Sequence, residues 1–495
     1  MQSQFIKIAP NDNVAIALVA LPTGTIVNIG GHEIKLSSAI SPGHKFSLVP
    51  IEQGQDIIKY GFCIGSAKSK IGTGEWIHTH NLGTNLGSID ERFDFSAPNA
   101  VELMKSGQTF DGFVRKNGSI GIRNEIWILP TVGCVASLAQ KLAKSCKFDS
   151  SLNIDGCYAF GHQFGCSQLG DDLAATRNII ASLACHPNAG GVLIIGLGCE
   201  NNQLAKLLEA IPKQFHYKIR YFEAQQVSNE FEHGQSLLSE LVSEIGAQKR
   251  KPVGIEKLVL GVKCGGSDGF SGLTANPIIG RASDFFTQHG AKVIMTEIPE
   301  VFGAEQTLFS RCADRNIFLK LSSVIKNFKD YFTRNNQPIY ENPSPGNKEG
   351  GITTLEEKSL GAVQKGGNAI ITSVLDYGEL ADTNGLSVLN APGNDAISST
   401  ALAASGAHII LFSTGRGTPL GFMVPTLKIA SNSALAQNKP HWIDFDAGSI
   451  ATIGNLENTA ADLIKQIISI ANGATTKNEQ NQVREFAIWK NGVTL

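Results

Sequence analysis

Ile126–Cys134 reads IWILPTVGC, Gly190–Cys199 reads GGVLIIGLGC and Leu258–Gly269 reads LVLGVKCGGSDG. Each is an apolar run that ends in a turn of small residues carrying a cysteine. Ile154–Cys166, IDGCYAFGHQFGC, repeats the design. The first run leads into CVASLAQKLAKSC, whose apolar residues recur at helical spacing. Strand-like runs alternating with such stretches imply a parallel sheet covered by helices. The fold class is therefore α/β with mainly parallel sheets. In open sheets of this kind ligands bind beyond the carboxyl ends of the strands. Four thiols at that level (Cys134, Cys166, Cys199 and Cys264), with His162 beside one and Asp268 beside another, point to a site for a metal or a small polar substrate. Taken singly, each cysteine reads equally well as a small buried hydrophobe.

Working outward, residues 1–95 have a different texture. FIKIAP, NVAIALVAL, GTIVNI, HEIKL, KFSLVPI and DIIKYGF are short runs split by glycine, proline and asparagine turns, the pattern of a small β-rich domain. Residues 96–110 lack periodicity and read as a linker. Residues 111–248 form one α/β region, with helices expected over Leu169–Ala184, Leu204–Ile211 and Glu230–Ile245. The polar, proline-containing GAQKRKPVG (Gly246–Gly254) reads as a second linker. Residues 249–495 form a further α/β region, with a long helical stretch to about Asn335 and a loop over NPSPGNKEGG (Asn342–Gly351). The two α/β regions are expected to face each other across a cleft.

At 495 residues the chain holds two to four domains of about 100–200 residues each. Its net charge of −2 gives no electrostatic footprint for nucleic acid or an anionic membrane. No apolar run reaches the roughly 18 residues of a membrane span, and MQSQFIKIAPNDN is not patterned as a secretory signal. Nine scattered cysteines do not make a disulfide framework, so a reducing, cytoplasmic setting is expected.

Several segments carry candidate chemistry. KCGGSDGFSGLTANP (Lys263–Pro277) lies between a strand and a helix. Gly265, Gly266, Ser267 and Asp268 are expected to bring backbone N–H groups close to an anion. It matches neither a P-loop nor a dinucleotide fingerprint. Arg416, between two glycines in STGRGTPLG (Ser413–Gly421), suits bidentate carboxylate recognition, and Lys348 has a similar setting. His44 and Lys45 follow the Pro42–Gly43 turn and are candidates for proton transfer, as is His162. His78 and His80 in WIHTHN (Trp76–Asn81) are two apart, so on a strand they share a face and offer two imidazole ligands.

Taken together, DNVAIAL, PGHKFSL, IIKYGFCIG, WIHTHN, GSIGIRNEIWILPTVGCV, GHQFGC, GLGCENN, KCGGSDGFSGLTANP, NPSPGNKEGGITTLEEKSLGAVQKGG, STGRGTPLGFMVPTLKIASN and HWIDFDAG run nearly end to end. In that order they resemble the altronate/galactarate dehydratase family of sugar-acid hydro-lyases. The resemblance implies a β-clip (SAF-like) first domain and a small sugar acid as substrate. It also implies dehydration of D-altronate to 2-dehydro-3-deoxy-D-gluconate in galacturonate breakdown, with galactarate as the alternative substrate. Ferrous iron or manganese is the implied activator. His78 and His80 are the leading ligand candidates, and the four strand-end cysteines are the alternatives. Those cysteines also suit an iron–sulfur cluster, ranked lower because no C-x-x-C spacing occurs. A homo-oligomer is compatible with this reading. A non-catalytic sugar-acid binding protein is the alternative of another class, and the β-rich first region and cytoplasmic reading argue against a secreted one.

Overall fold

The computed structural model describes residues 3–86, 95, 98, 103–104 and 107–495. The first region is built of short antiparallel ladders. Phe5–Ile6, Val14–Ala17, Lys45–Ser47 and Trp76–Ile77 form one sheet, and Asp56–Lys59, Phe62–Ala67 and Leu82–Gly83 another. A hairpin pairs Ile26–Ile29 with His32–Lys35, turned by Gly30 and Gly31 at φ +60° and +86°. Both central residues need positive φ in such a two-residue turn, which is why glycine occupies them. Ala15, Ala17, Leu21, Val27, Ile34, Leu36, Ile40 and Phe46 fill its interior.

Two parallel sheets follow. The smaller has the order Gly156–Ala159, Glu125–Pro130, Ala189–Gly196, Ile219–Glu223. All eight residues of Ala189–Gly196 are buried, as expected for a parallel strand covered on both faces. The larger sheet has seven strands in the order Ile371–Leu375, Gly385–Leu389, Lys292–Met295, Val259–Cys264, Ile409–Thr414, Thr426–Ala430 and Phe445–Asp446. The chain enters at the central strand Val259–Cys264 and builds outward on one side. It then crosses to the other side with Ile409–Thr414. The strand order thus reverses between these two neighbours, and that is where an open sheet forms its crevice. Cys264–Gly269 and Gly415–Arg416 leave the sheet there.

Three expectations change. The expected second linker contains a strand, Arg250–Gly254, which pairs antiparallel with Thr109–Val114. The same ladder takes in the last residues of the expected linker 96–110, most of which lies outside the described residues. The expected loop Asn342–Gly351 contains a helical turn, Pro345–Glu349. Ser344 and Asn347 form a reciprocal capping box around it, and proline suits its first turn. Finally, the two α/β regions are not separated by a cleft. Trp127, Leu129, Ile194, Ala401, Leu402, Ile410 and Phe412 belong to one continuous apolar core. The larger sheet's crevice faces the first, β-rich region instead. No helix of the described residues is long and apolar enough to cross a membrane.

Candidate active site

The floor of the site is a buried charge cluster at the carboxyl ends of two adjacent strands, paired so that Val262 lies beside Met295. Cys264 ends one strand. After the other, Glu297 adopts a left-handed conformation (φ +71°), and Ile298–Glu300 forms a tight turn with proline in its first positions. A left-handed non-glycine residue is costly unless its surroundings hold it. Here Cys264 N donates to Glu297 Oε2 at 2.9 Å.

Three lysines meet these acids. Lys365 Nζ lies 2.9 Å from Cys264 Sγ and 3.2 Å from Glu297 Oε2. Lys358 Nζ pairs with Glu300 Oε1 at 2.8 Å, and Asn342 Oδ1 and Asn347 Oδ1 also accept from it. Lys263 Nζ bridges Glu297 Oε1 (3.2 Å) and Asp395 Oδ1 (2.8 Å). The Cys264 thiol donates to Glu300 Oε2 at 3.1 Å. Burial, reinforced by Glu297 and Glu300, pushes that thiol up to about 12, so it carries its proton. Burial alone would raise Glu300, but Lys358 and Lys365 hold it down at about 2. Burial works against the Lys365 ammonium, yet its anionic neighbours keep it above the ordinary lysine value. Asp395 is 29% exposed while Lys263 is fully buried, so the cluster opens to solvent on the Asp395 side.

The wall and rim contain residues singled out from the sequence. Arg416 N and Gly415 N donate to Gly266 O, tying the two strand-end loops together across the crevice. Asn347 Nδ2 donates to Ser267 O at 2.8 Å, which places Lys348 beside them. The Arg416 guanidinium is half-exposed over Gly346 and pairs with Glu349 at 3.1 Å. His44 and His78 reach the same segment from the first region. His44 Nε2 donates to Glu349 O, and His78 Nε2 donates to Lys348 O at 2.8 Å.

Other expected roles change. The Asp268 carboxylate is taken up by hydrogen bonds within the protein. Its Oδ1 accepts from Phe270 N, Ser271 N, Ser271 Oγ and Ser431 Oγ, and its Oδ2 accepts from Asn432 Nδ2. It locks the loop's shape. The N–H groups of Gly265, Asp268 and Gly269 are used inside the protein, and the following helix starts only at Ala275. Those three N–H groups are therefore not free to meet an anion, and the loop does not lead directly into a helix start. His44 Nδ1 accepts from the Trp76 indole while Nε2 donates, which fixes a neutral tautomer with both nitrogens engaged. Lys45 is not free either. With Lys59 it grips Glu357 at 2.9 and 2.7 Å, all three fully buried. Burial and Lys59 bring Lys45 down to about 8 against the pull of Glu357.

His162 lies on the smaller sheet, donating to Pro130 O and accepting from Phe164 N, and so pins its own loop. His78 and His80 do not share a strand face, because the strand stops at Ile77 and both sit in the following turn against Trp76. Cys134, Cys166 and Cys199 lie in loops that follow strands of the smaller sheet, whereas Cys264 ends a strand of the larger one. Sequence reasoning missed Glu297, Glu300, Lys358, Lys365 and Asp395. The TEIPE run after a strand was the one available signal.

Comparison with known proteins gives the chain its place. Residues 3–85 match a family described as the altronate/galactarate dehydratase SAF domain. Residues 112–246 match the D-galactarate dehydratase/altronate hydrolase second domain, and residues 255–494 the D-galactarate/altronate dehydratase C-terminal domain. The altronate dehydratase of Escherichia coli is 47% identical over 501 residues, spanning 99% of this chain and 100% of that protein. The chain belongs to the D-galactarate/altronate dehydratase family. The altronate dehydratase of Bacillus subtilis is also 47% identical, over 99% of both chains. The galactarate dehydratase (L-threo-forming) of Escherichia coli is 32% identical over 95% of this chain and 93% of that one. Members of the dehydratase family thus resemble this chain in all three regions.

For a divalent metal in this dehydratase, the floor offers a chemically suitable set. The ligand atoms of Cys264, Glu297 and Glu300 lie within 4.8 Å of one another. Glu297 Oε1 is buried and accepts no hydrogen bond, although Lys263 stands near it. A sulfur and two carboxylates are ligand types that a divalent transition-metal ion accepts. Binding would release the Cys264 proton.

The buried imidazoles set a pH limit on the fold. Burial lowers His44, His78, His162 and His186, and brings His408 to about 4. As pH falls below about 6.5, the unfolded chain takes up protons that the folded chain refuses. Stability is therefore full above that value and is lost progressively down to the folded-state values. The thermal unfolding midpoint is expected to drop between about pH 7 and pH 5. A midpoint constant across that window would mean these rings accept protons without loss of their contacts.

Proposed function

We propose that this chain dehydrates D-altronate to 2-dehydro-3-deoxy-D-gluconate and water. The observation that carries the reading is the 47% identity to two altronate dehydratases along nearly the whole chain, against 32% to the galactarate enzyme. The buried lysine–acid cluster at the sheet's crevice supplies suitable chemistry. Lys358, oriented by Asn342 and Asn347, binds the substrate carboxylate. Asp395, at the mouth, accepts the proton from the carbon next to that carboxylate. Lys365, charged and held against Cys264, gives its proton to the departing hydroxyl, which leaves as water. The enol left behind takes a proton at the neighbouring carbon, gives up its hydroxyl proton to water, and becomes the 2-keto acid. When bound, ferrous iron or manganese held by Cys264, Glu297 and Glu300 would stabilise the negative charge that develops on the carboxylate. The first region closes the crevice through His44 and His78 and keeps bulk water out. We place the enzyme in the cytoplasm, where its free thiols stay reduced.

Purified protein supplied with ferrous iron is expected to form a 2-keto-3-deoxy acid from D-altronate faster than from galactarate. An equal or greater rate on galactarate overturns the substrate. No keto product from either acid overturns the reaction and leaves a sugar-acid binding protein.

A further inference from the structure

Nine cysteines are free, and three of them are exposed: Cys134, Cys166 and Cys199. Cysteine is among the most buried residue types, so exposure of even one asks for a reason. These three share one location. They follow the adjacent parallel strands Glu125–Pro130, Gly156–Ala159 and Ala189–Gly196, all at the carboxyl edge of the smaller sheet.

The loops that carry them are bonded to one another next to the thiols. Gly133 N donates to Phe164 O at 2.9 Å, joining the Cys134 loop to the Cys166 loop. Asn202 N donates to Gly165 O at 2.9 Å, and Ser167 N to Asn201 Oδ1 at 2.8 Å, joining the Cys166 loop to the Cys199 loop. Asn202 Nδ2 reaches Thr131 O at 3.1 Å and closes the set. A side chain at position 165 would strike Thr131 O, so glycine is required for this approach. Gly165, Ser167 and Gly198 all have positive φ. Left-handed residues within such loops turn successive backbone N–H groups toward one point, a feature of many anion and iron–sulfur sites. Cys264 is not part of this group, being buried in the other sheet against Lys365 and Glu300.

We propose that Cys134, Cys166 and Cys199 hold an iron–sulfur cluster at the carboxyl edge of the smaller sheet, a second site distinct from the lysine–acid crevice. Each thiol loses its proton as its sulfur binds iron. A cubane cluster with three cysteine ligands leaves one iron without a protein thiolate, open to a solvent oxygen.

The test uses the full-length chain, made anaerobic and incubated with ferrous iron and sulfide. Wild-type protein is expected to retain on the order of four irons and four acid-labile sulfides per chain, with broad visible charge-transfer absorbance. Cys264→Ser is expected to retain them equally. The triple variant Cys134→Ser, Cys166→Ser, Cys199→Ser is expected to lose them, while unfolding at the same temperature as iron-free wild type. Loading should also protect these three thiols of the wild type from alkylation, a reading that needs no variant. Wild type without labile sulfide, a triple variant that still carries the cluster, or capture of a lone zinc ion would each overturn the proposal. None of these readings depends on dehydratase activity, so they separate from the test of the proposed reaction.

Discussion

Lys365→Met is expected to lower kcat/KM for altronate dehydration by about 10²- to 10⁴-fold, the range for loss of a positioned proton-transfer group. Lys365 Nζ is buried against the sulfur of Cys264 and the Glu297 carboxylate. Methionine keeps most of the volume and removes the ammonium. On the proposed mechanism the departing hydroxyl then has no proton donor, and Glu297 loses one of its two lysine partners. Initial rates of 2-keto acid formation give the size of the loss, and a pH–rate profile shows whether its alkaline limb has gone. Lys365→Arg retains the charge and serves as the partial rescue. A folded Lys365→Met enzyme with wild-type rates and pH profile would assign Lys365 to charge balance alone.

Glu357→Gln is expected to destabilise the protein by about 3–5 kcal/mol, the cost of breaking a buried ion pair by removing one partner. Glu357 holds Lys45 and Lys59 of the first region, and Thr353 N and Oγ1 donate to the same carboxylate. Burial alone would raise its pKa, but the two lysines hold the carboxyl far below its ordinary value. A neutral amide leaves two ammoniums facing each other without a counter-charge. Denaturant unfolding measures the loss. Adding Lys59→Met to Glu357→Gln should return part of it, because one of the stranded charges is then gone. If Glu357→Gln unfolds at the wild-type denaturant concentration, the first region is not fastened through this carboxylate.

Much of the site was legible because glycine and cysteine mark strand ends. KCGGSDG and STGRGTP were recognisable as loops beyond parallel strands, and they do leave neighbouring strands at the crevice. The acids were not legible, although Glu297 comes just after the end of its strand, much as Cys264 ends its own. Knowing that they face Cys264 requires the strand order, and the order is set by packing between elements far apart in the chain. Lys358 and Lys365 sit in a segment where lysine ordinarily reads as a solvated residue. Nothing local reports that Cys264, Glu297 and Glu300 lie beneath them. The same difficulty moved the cleft. Hydrophobic patterning placed two α/β regions side by side, but the first region's hold on the crevice rests on buried charges such as Lys45, whose partner is 312 positions away.

That separation has a bearing on how the protein is made. Lys59 and Glu357 are 298 positions apart. At about 5–20 residues per second, a ribosome needs on the order of 15–60 s to travel from one to the other. Through that interval the β-rich region has left the ribosome with two lysines whose counter-charge does not yet exist. They must stay in water until it does. The first segment to be synthesised is therefore among the last to be seated, and the enzyme's crevice closes only near the end of translation.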